Sequence, residues 1–379
     1  MLKKYVRIFV SCQVKIFMSD IHPIQQKAIH FVEEYARPRC KTARETLQII
    51  CERSNIKSDM IDSMIENIQQ HANIAIHFHP DVVNLEGKSV LENLLEGGVY
   101  RNQFETHLSN GLLDPTVGGR RVQWEDMLFG EVYDGSATNM FLRPKYGSLS
   151  LMGDPYGPSP RFGSCYLLLK PICMTYSTFC YGDSSQNPSE RGTWKHLEDV
   201  LAALFMDCFT NEHVLGLSNI RPPQLFEHLC QNFQYRSAAL QNAVIVRNLN
   251  HYIETQIHSE IVLEKHVVSI VADPSFRQSI YEEMLQSIQT TYNIPIQWHQ
   301  GFTLHIDDVV DDFRGPLMSK IAKKIAHNGR IDAKIIGQAR INAVQYPENW
   351  TEFQESPSQL LKYLWHVLLR FGTSFHGAI

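Results

Sequence analysis

Three polar side chains stand where a strand or a loop could present them to a ligand. Glu254 is followed by the polar residues Thr255 and Gln256 in HYIETQIHSEIV. Arg101 follows two glycines in GGVYRNQFETHLSNG, and Ser164 stands where a loop enters a strand in SPRFGSCYLLLKP. An acid, a guanidinium and a hydroxyl can together bind a charged ligand and assist its reaction.

Each of these side chains also has an ordinary structural explanation. Glu254 is either an acid at the rim of a cleft or a solvent-facing residue of an edge strand. Arg101 either donates to a phosphate or a carboxamide or pairs with Glu105, one helical turn further on. Ser164 either hydrogen-bonds a ligand or a neighbouring acid, or simply belongs to a turn.

Two loops share an order of basic, aromatic, glycine and serine residues, RPKYGSLSL and SPRFGSCYLLL. Their rings, Tyr146 and Phe162, either line a ligand site or pack in the core.

The segment HFHPD offers a different chemistry. A spacing of two residues places His77 and His79 on one face of a strand, and with Asp81 they could contribute to a metal site. His299 and His305 are available as further ligands, but no spacing links them to this strand. A metal-dependent hydrolase is therefore an alternative, although we expect no metal.

The elements that must position these residues fall into three segments. The sequence predicts an α+β protein with a helical region over residues 19–72, a strand-rich domain over 73–315 and a second helical region over 316–379. Met18 is interpreted as an alternative start. LEKHVVSIV is predicted to turn helical after the strand that carries Glu254, and Thr193 to cap the helix of TWKHLEDVLAALFMDCF.

Composition excludes several classes of protein. The chain has 379 residues, 44% of them apolar, and a net charge of −5 with no long run of Lys or Arg, so we expect no nucleic-acid partner. No apolar run approaches the ~18–20 residues of a membrane span, and we expect no membrane association. The eight cysteines form no CxxC pair and predict free thiols. The sequence has no GxxxxGK[ST], GxGxxG, HExxH or GxSxG motif.

Several of these blocks resemble a bacterial domain family of unknown function. The similar segments are AIHFHPDVV, GGVYRNQFETHLSNGLL, RPKYGSLSL, SPRFGSCYLLLKP, STFCYGDS and YIETQIHSEIVLEKHVVSIVADPSFR. They span roughly residues 70–315.

The order Arg101, Ser164, Glu254 is similar to the Arg–Ser–Glu layout of mono-ADP-ribosyltransferases of the cholera-toxin-like branch. The resemblance implies a split β-sheet core that binds NAD as a substrate and transfers ADP-ribose to a protein. Arginine-modifying members carry Glu-x-Glu, whereas this chain has Glu254-Thr255-Gln256, so the acceptor side chain stays open.

The resemblance also implies roles for individual residues. Glu254 stabilises the oxocarbenium character of the ribose, Arg101 holds a phosphate or ribose, and Ser164 orients Glu254. Rings from Tyr100, Tyr146 or Phe162 stack on nicotinamide. The implied NAD-binding set is Arg101, Tyr100, Gln103, Tyr146, Arg161, Phe162, Gly163, Ser164 and Gln256.

Secreted bacterial effectors belong to this superfamily, so the resemblance implies a bacterial cytoplasmic protein that can also be delivered into a host cell. A catalytically inactive binding module, working through its helical ends, is the remaining alternative.

Overall fold

The computed structural model describes residues 21–108, 119–133, 137–231, 233, 235–247 and 249–375. The alternative start at Met18 lies outside these ranges. The helices, in chain order, are α1 (Pro23–Ala36), α2 (Cys40–Arg53), α3 (Ile61–His71), α4 (Val90–Gly97), α5 (Gln103–Thr106), α6 (Arg120–Phe129), α7 (Glu198–Asn211), α8 (Pro222–Leu229), α9 (Leu263–His266), α10 (Ile280–Tyr292), α11 (Met318–Ile325), α12 (Ala333–Gln345) and α13 (Pro357–Phe371).

The strands are short and belong to one large sheet and three small ones. They are β1 (Asn73–Phe78), β2 (Val99–Tyr100), β3 (Lys145–Ser150), β4 (Cys165–Leu169), β5 (Ser177–Tyr181), β6 (Arg191–Thr193), β7 (His213–Val214), β8 (Leu217–Ser218), β9 (Val244–Ile245), β10 (Ile253–Ile257), β11 (Ile261–Val262), β12 (Val267–Ala272), β13 (Ile296–Trp298), β14 (Phe302–His305), β15 (Arg330–Asp332) and β16 (Thr373–Ser374).

The large sheet has the order β13-β12-β4-β1-β3-β10-β5-β6. Its neighbours run antiparallel except for the parallel pair of β12 and β13, so the sheet is mixed. The fold is thus a mixed α/β arrangement with helices at both ends of the chain. The finer expectation, a split core of the ADP-ribosyltransferase kind, stays a prediction.

The two faces of the sheet differ in chemistry. Because paired residues of neighbouring strands share a face, Glu254 lies beside Ser148, which in turn lies beside Ala75. The opposite face carries buried apolar side chains such as Ile74 and Leu167, and it packs in the main core. One face of the sheet is therefore available for polar chemistry.

Two local predictions are wrong. The segment VVSIV is strand β12 rather than helix, and only the single turn α9 precedes it. Its residues Val267, Val268, Ile270 and Val271 are β-branched, and such residues favour the extended conformation of a strand. Strand β12 forms because β4 and β13 are available to pair with it. Thr193 lies in β6, and helix α7 begins only at Glu198.

The helical ends pack with the strand-rich middle. One buried core contains residues from all three predicted segments, for example Ile29 of α1, Ile76 of β1 and Leu364 of α13. In α13, the indole Nε1 of Trp365 also donates to the carbonyl of Pro160 at 3.0 Å. No helix in the described ranges is long and apolar enough to cross a membrane.

Candidate functional site

A cavity of about 440 Å³ lies against the polar face of the sheet. Its acidic residues are Glu254 of β10 and Asp183, which follows β5. Its basic residues come from several distant segments and are Arg101, Arg121, Lys145, Arg161, Arg314 and Lys362. Its aromatic residues are Tyr100, Trp124, Tyr146, Phe162 and Tyr363. The volume of this cavity lies in the range of pockets that bind small molecules and cofactors, and its polar groups converge from several segments.

A larger and more open cleft of about 1610 Å³ lies elsewhere. Its walls include Trp298, Lys334 and Trp350, and none of the residues predicted to bind NAD lines it. We therefore place the candidate site in the smaller cavity, where the predicted residues converge.

Glu254 is buried and lines the cavity, and its carboxylate accepts hydrogen bonds from two residues. Oε1 accepts from the Ser184 hydroxyl and from Gln256 Nε2, the latter at 2.9 Å. Oε2 accepts from the backbone N–H of Ser184 at 3.4 Å. Burial, with a smaller contribution from the negative charge of Asp183, raises the pKa of Glu254 to about 7. A carboxyl group that titrates near neutral pH in a cavity is a candidate catalytic group.

Asp183 and Ser184 were not predicted from the sequence. They begin a short 3₁₀ turn after β5, in which the Asp183 side chain accepts from the N–H of Ser185 at 3.0 Å. Their role is not visible in the sequence, because Ser184 and Glu254 are 70 positions apart and meet only through the pairing of β5 with β10. The Asp-Ser-Ser sequence signals a turn of this kind, but it does not indicate which strand the turn lies beside.

One wall of the cavity is held by a buried ion pair. Arg143 donates to Glu125 of α6 at 2.6 Å, and the Tyr146 hydroxyl donates to the same carboxylate at 2.8 Å. The guanidinium of Arg121 lies 4.9 Å from the ring centre of Trp124 and 5.4 Å from that of Tyr146. These contacts hold an aromatic and cationic surface at the cavity, and of its members only Tyr146 was predicted.

Several buried polar atoms on the cavity wall have no hydrogen-bond partner in the described part of the chain. They are the Nε atoms of Arg121, Arg161 and Arg314, the indole Nε1 of Trp124, Oε1 of Gln103 and both ring nitrogens of His366. Buried donors without partners are rare in native proteins, and such atoms point to a missing ligand or water. Four of these seven atoms, the three guanidinium nitrogens and the indole nitrogen, can only donate. Three of the four belong to cationic groups, so the ligand they favour is anionic.

Arg101 and Tyr100 reach the cavity through the small sheet of β2 and β11. Tyr100 pairs with Ile261, which brings the loop that carries Arg101 to the end of β10. Arg101 itself is exposed. Glu105, its alternative partner, accepts instead from the N–H of Asn102 at 2.8 Å and so completes a helix cap.

Three predicted residues do not line the cavity. Ser164 is buried just before β4, which is separated from β10 by the two strands β1 and β3, and its carbonyl lies 2.8 Å from Nε2 of His299. Gly163 packs so tightly that an added Cβ would lie 2.3 Å from the Phe78 backbone. Gln256 is buried behind Glu254 and positions its carboxylate. The other predicted binding residues, Arg161, Phe162, Tyr146, Tyr100, Gln103 and Arg101, all line it.

The alternative metal ligands are not brought together. His77 donates from Nδ1 to the Gly163 carbonyl at 3.1 Å. Nε2 of His79 lies 3.4 Å from Nη2 of Arg340. Asp81 is buried, and burial raises the pKa of its carboxyl group to about 6 although the positive charge of Arg340 lowers it. Within the described ranges these three side chains do not form a group whose ligand atoms lie within 4.8 Å of one another.

The sequence matches the profile of a family described as a protein of unknown function, DUF3626, over residues 73–371. The chain belongs to this family. No curated protein matches it. The family description confirms the predicted membership in a domain family of unknown function, and its match extends past residue 315 through α13. All cavity residues lie inside the DUF3626 region, whereas α1, α2 and α3 precede it. The description carries no activity, so the likeness to ADP-ribosyltransferases stays a prediction.

Proposed function

We propose that this DUF3626 protein is a mono-ADP-ribosyltransferase that uses NAD as its substrate. The reaction breaks the bond between nicotinamide and ribose and joins the anomeric carbon to a nucleophile of an acceptor protein. Nicotinamide leaves with the bonding electron pair, and the acceptor loses one proton. The observation that carries the proposal is a buried glutamate with a near-neutral pKa in a cavity lined by cationic and aromatic side chains.

The charge of the cavity suits a diphosphate. Six basic side chains line it against two acidic ones. Charge-assisted hydrogen bonds from arginine to phosphate are among the stronger polar contacts in proteins, and they strengthen where water is excluded. The unpartnered Nε atoms of Arg121, Arg161 and Arg314 would find acceptors in the phosphate oxygens.

The aromatic residues suit the two ring systems of a dinucleotide. Trp124 and Tyr146 lie tilted against each other with ring centres 5.1 Å apart, and Phe162 lies against Tyr252 at 5.4 Å. Rings held by such packing provide stacking surfaces without losing side-chain entropy on binding.

Glu254 would act on the ribose. Cleavage builds positive charge on the anomeric carbon, and an ionised carboxylate that accepts from a ribose hydroxyl stabilises that charge more than the ground state. Gln256 and Ser184 are positioning residues because they fix the carboxylate oxygens. Ser184 thus takes the orienting role that the resemblance implied for Ser164.

The acceptor would enter from the side on which Arg101 is exposed. A protein side chain there gives ADP-ribosyl transfer, whereas water in its place gives hydrolysis of NAD.

The test is release of nicotinamide from NAD, together with NAD binding by calorimetry. Removing one preorganised electrostatic contact costs ~10²–10³ in rate, so we expect Glu254→Gln to lose about that factor in kcat while its affinity for NAD stays within a few fold. Glu227→Gln, at an exposed site on α8, is the matched control and should behave as the wild type.

A second comparison tests the anion site. A hydrogen bond to a charged group contributes about 1.5–3 kcal/mol, so Arg121→Gln should weaken NAD binding by roughly 10- to 100-fold, with exposed Arg53→Gln as control. Absence of NAD binding by the wild type, or full activity of folded Glu254→Gln, would overturn the proposal. NAD binding without any turnover would favour the inactive binding module.

A further inference from the structure

A second cluster of reactive side chains lies outside the cavity, where the N-terminal helices meet the DUF3626 region. Cys40 is the first residue of α2, and Glu198 is the first residue of α7. His196 precedes Glu198 in a tight turn, closed by backbone hydrogen bonds between Thr193 and His196 at 3.2 and 3.0 Å. A thiol, an imidazole and a carboxylate thus converge from two rigid helix starts and one closed turn.

The distances between the three ligand atoms fit a tetrahedral ion. Cys40 Sγ lies 3.4 Å from His196 Nδ1 and 3.3 Å from Glu198 Oε2, and all three atoms lie within 4.8 Å of one another. Zinc bonds of about 2.3 Å to sulfur and about 2.0–2.2 Å to nitrogen or oxygen, at tetrahedral angles, place the ligand atoms about 3.5 Å apart. The cluster therefore needs little rearrangement to enclose an ion.

The surrounding side chains also match a metal centre. The outer nitrogen of His196, Nε2, lies 3.8 Å from Glu33 Oε1, which is longer than a hydrogen bond. A small movement would let this nitrogen donate to Glu33, as metal-bound imidazoles commonly donate to a carboxylate. Arg44 donates from Nε to Glu198 Oε1 at 3.1 Å, which leaves Oε2 directed at Cys40. The Arg44 contact thus holds the Glu198 carboxylate, and the inner atoms of Glu198 and His196 both lie beside Cys40 Sγ.

We propose that Cys40 Sγ, His196 Nδ1 and Glu198 Oε2 bind one Zn²⁺ ion, with water in the fourth position. The thiol loses its proton to solvent as the sulfur–zinc bond forms. A thiolate with one imidazole selects zinc over magnesium or calcium, which prefer oxygen ligands. Cys40 and His196 are half-buried, so an ion can reach the site. Because Cys40 precedes the DUF3626 region and the other two ligands lie inside it, the ion would fasten the N-terminal helices to the family fold.

The test uses the full chain loaded with Zn²⁺ or Co²⁺ alone and then freed of excess ion. We expect about one metal per chain by elemental analysis, and a thiolate-to-cobalt charge-transfer band with Co²⁺. Cys40→Ser should lose the band and most of the metal, and Glu198→Gln should bind at least tenfold more weakly. Cys230→Ser, at another half-buried free cysteine, should keep both signals. Should Cys40→Ser fail to fold, His196→Gln serves as the second ligand variant.

Wild-type protein that retains no metal would overturn the proposal. The same holds if the metal content of folded Cys40→Ser and Glu198→Gln equals that of the wild type, since the ion would then be bound elsewhere. Neither outcome bears on the NAD cavity, because the cluster shares no residue with it.

Discussion

The substitution Glu254→Gln should change how the stability of the protein depends on pH. Burial raises the pKa of Glu254 from 4.5 to about 7, so its neutral form is the one that the folded state favours. This preference stabilises the folded state in full below pH 4.5. The stabilisation is lost as the pH rises from 4.5 through 7. At about 1.4 kcal/mol per pKa unit, the loss is about 3 kcal/mol. Glutamine is neutral at every pH in this range, so the Glu254→Gln variant should not lose this stability as the pH rises.

The assay is urea unfolding of wild type and Glu254→Gln at a series of pH values from 4.5 to 8. Subtracting the two free energies of unfolding cancels the other titrating groups. We expect the difference between wild type and variant to change by about 3 kcal/mol across this range, with the variant favoured at high pH. Glu227→Gln should give a flat difference, because that side chain is exposed. A flat difference for Glu254→Gln as well would refute the idea that Glu254 titrates near pH 7.

Further predictions concern the neighbours of Glu254 and the packing behind it. If the ionised carboxylate is the active form, kcat/KM should rise with pH through a midpoint near 7. Asp183→Asn should move that midpoint to lower pH, because the Asp183 charge raises the pKa of Glu254; an unmoved midpoint would contradict this. Ser184→Ala should move the midpoint to higher pH, since it removes a donor to the ionised carboxylate. Gly163→Ala should lower the free energy of unfolding in urea by about 1–3 kcal/mol, because the added Cβ would collide with the Phe78 backbone. Unchanged stability would show that the backbone moves to accommodate the methyl group.

Several residues that the sequence singled out from local pattern converge on the candidate cavity, and their role there stays a prediction. Glu254, Arg101 and Tyr146 were selected from short polar segments at strand ends, and all of them line one cavity. The strands that carry them were located by apolar runs and by flanking glycine and proline residues, which are local signals.

What the sequence does not predict depends on strand order. Because β10 lies between β3 and β5, its carboxylate meets Ser184, whereas Ser164 lies beyond β1 at the start of β4. Hydrophobic alternation fixes the face of a strand but not its neighbours, so a serine could not be assigned to Glu254 in advance. Arg314 and Lys362 were also missed. Arg314 reaches the cavity from the segment between β14 and α11, and Lys362 from α13, and no local pattern indicates that these distant segments meet there.

The most direct test of the proposed function is transfer of label from adenine-labelled NAD to protein in a cell lysate. Wild type and Glu254→Gln are compared at equal folded concentration, with Glu227→Gln as the control. We expect a labelled protein band with wild type and the control, and its loss with Glu254→Gln. A band of equal strength with folded Glu254→Gln, or no labelled protein and no nicotinamide release with wild type, would contradict the assignment of Glu254 and the cavity to ADP-ribosyl transfer.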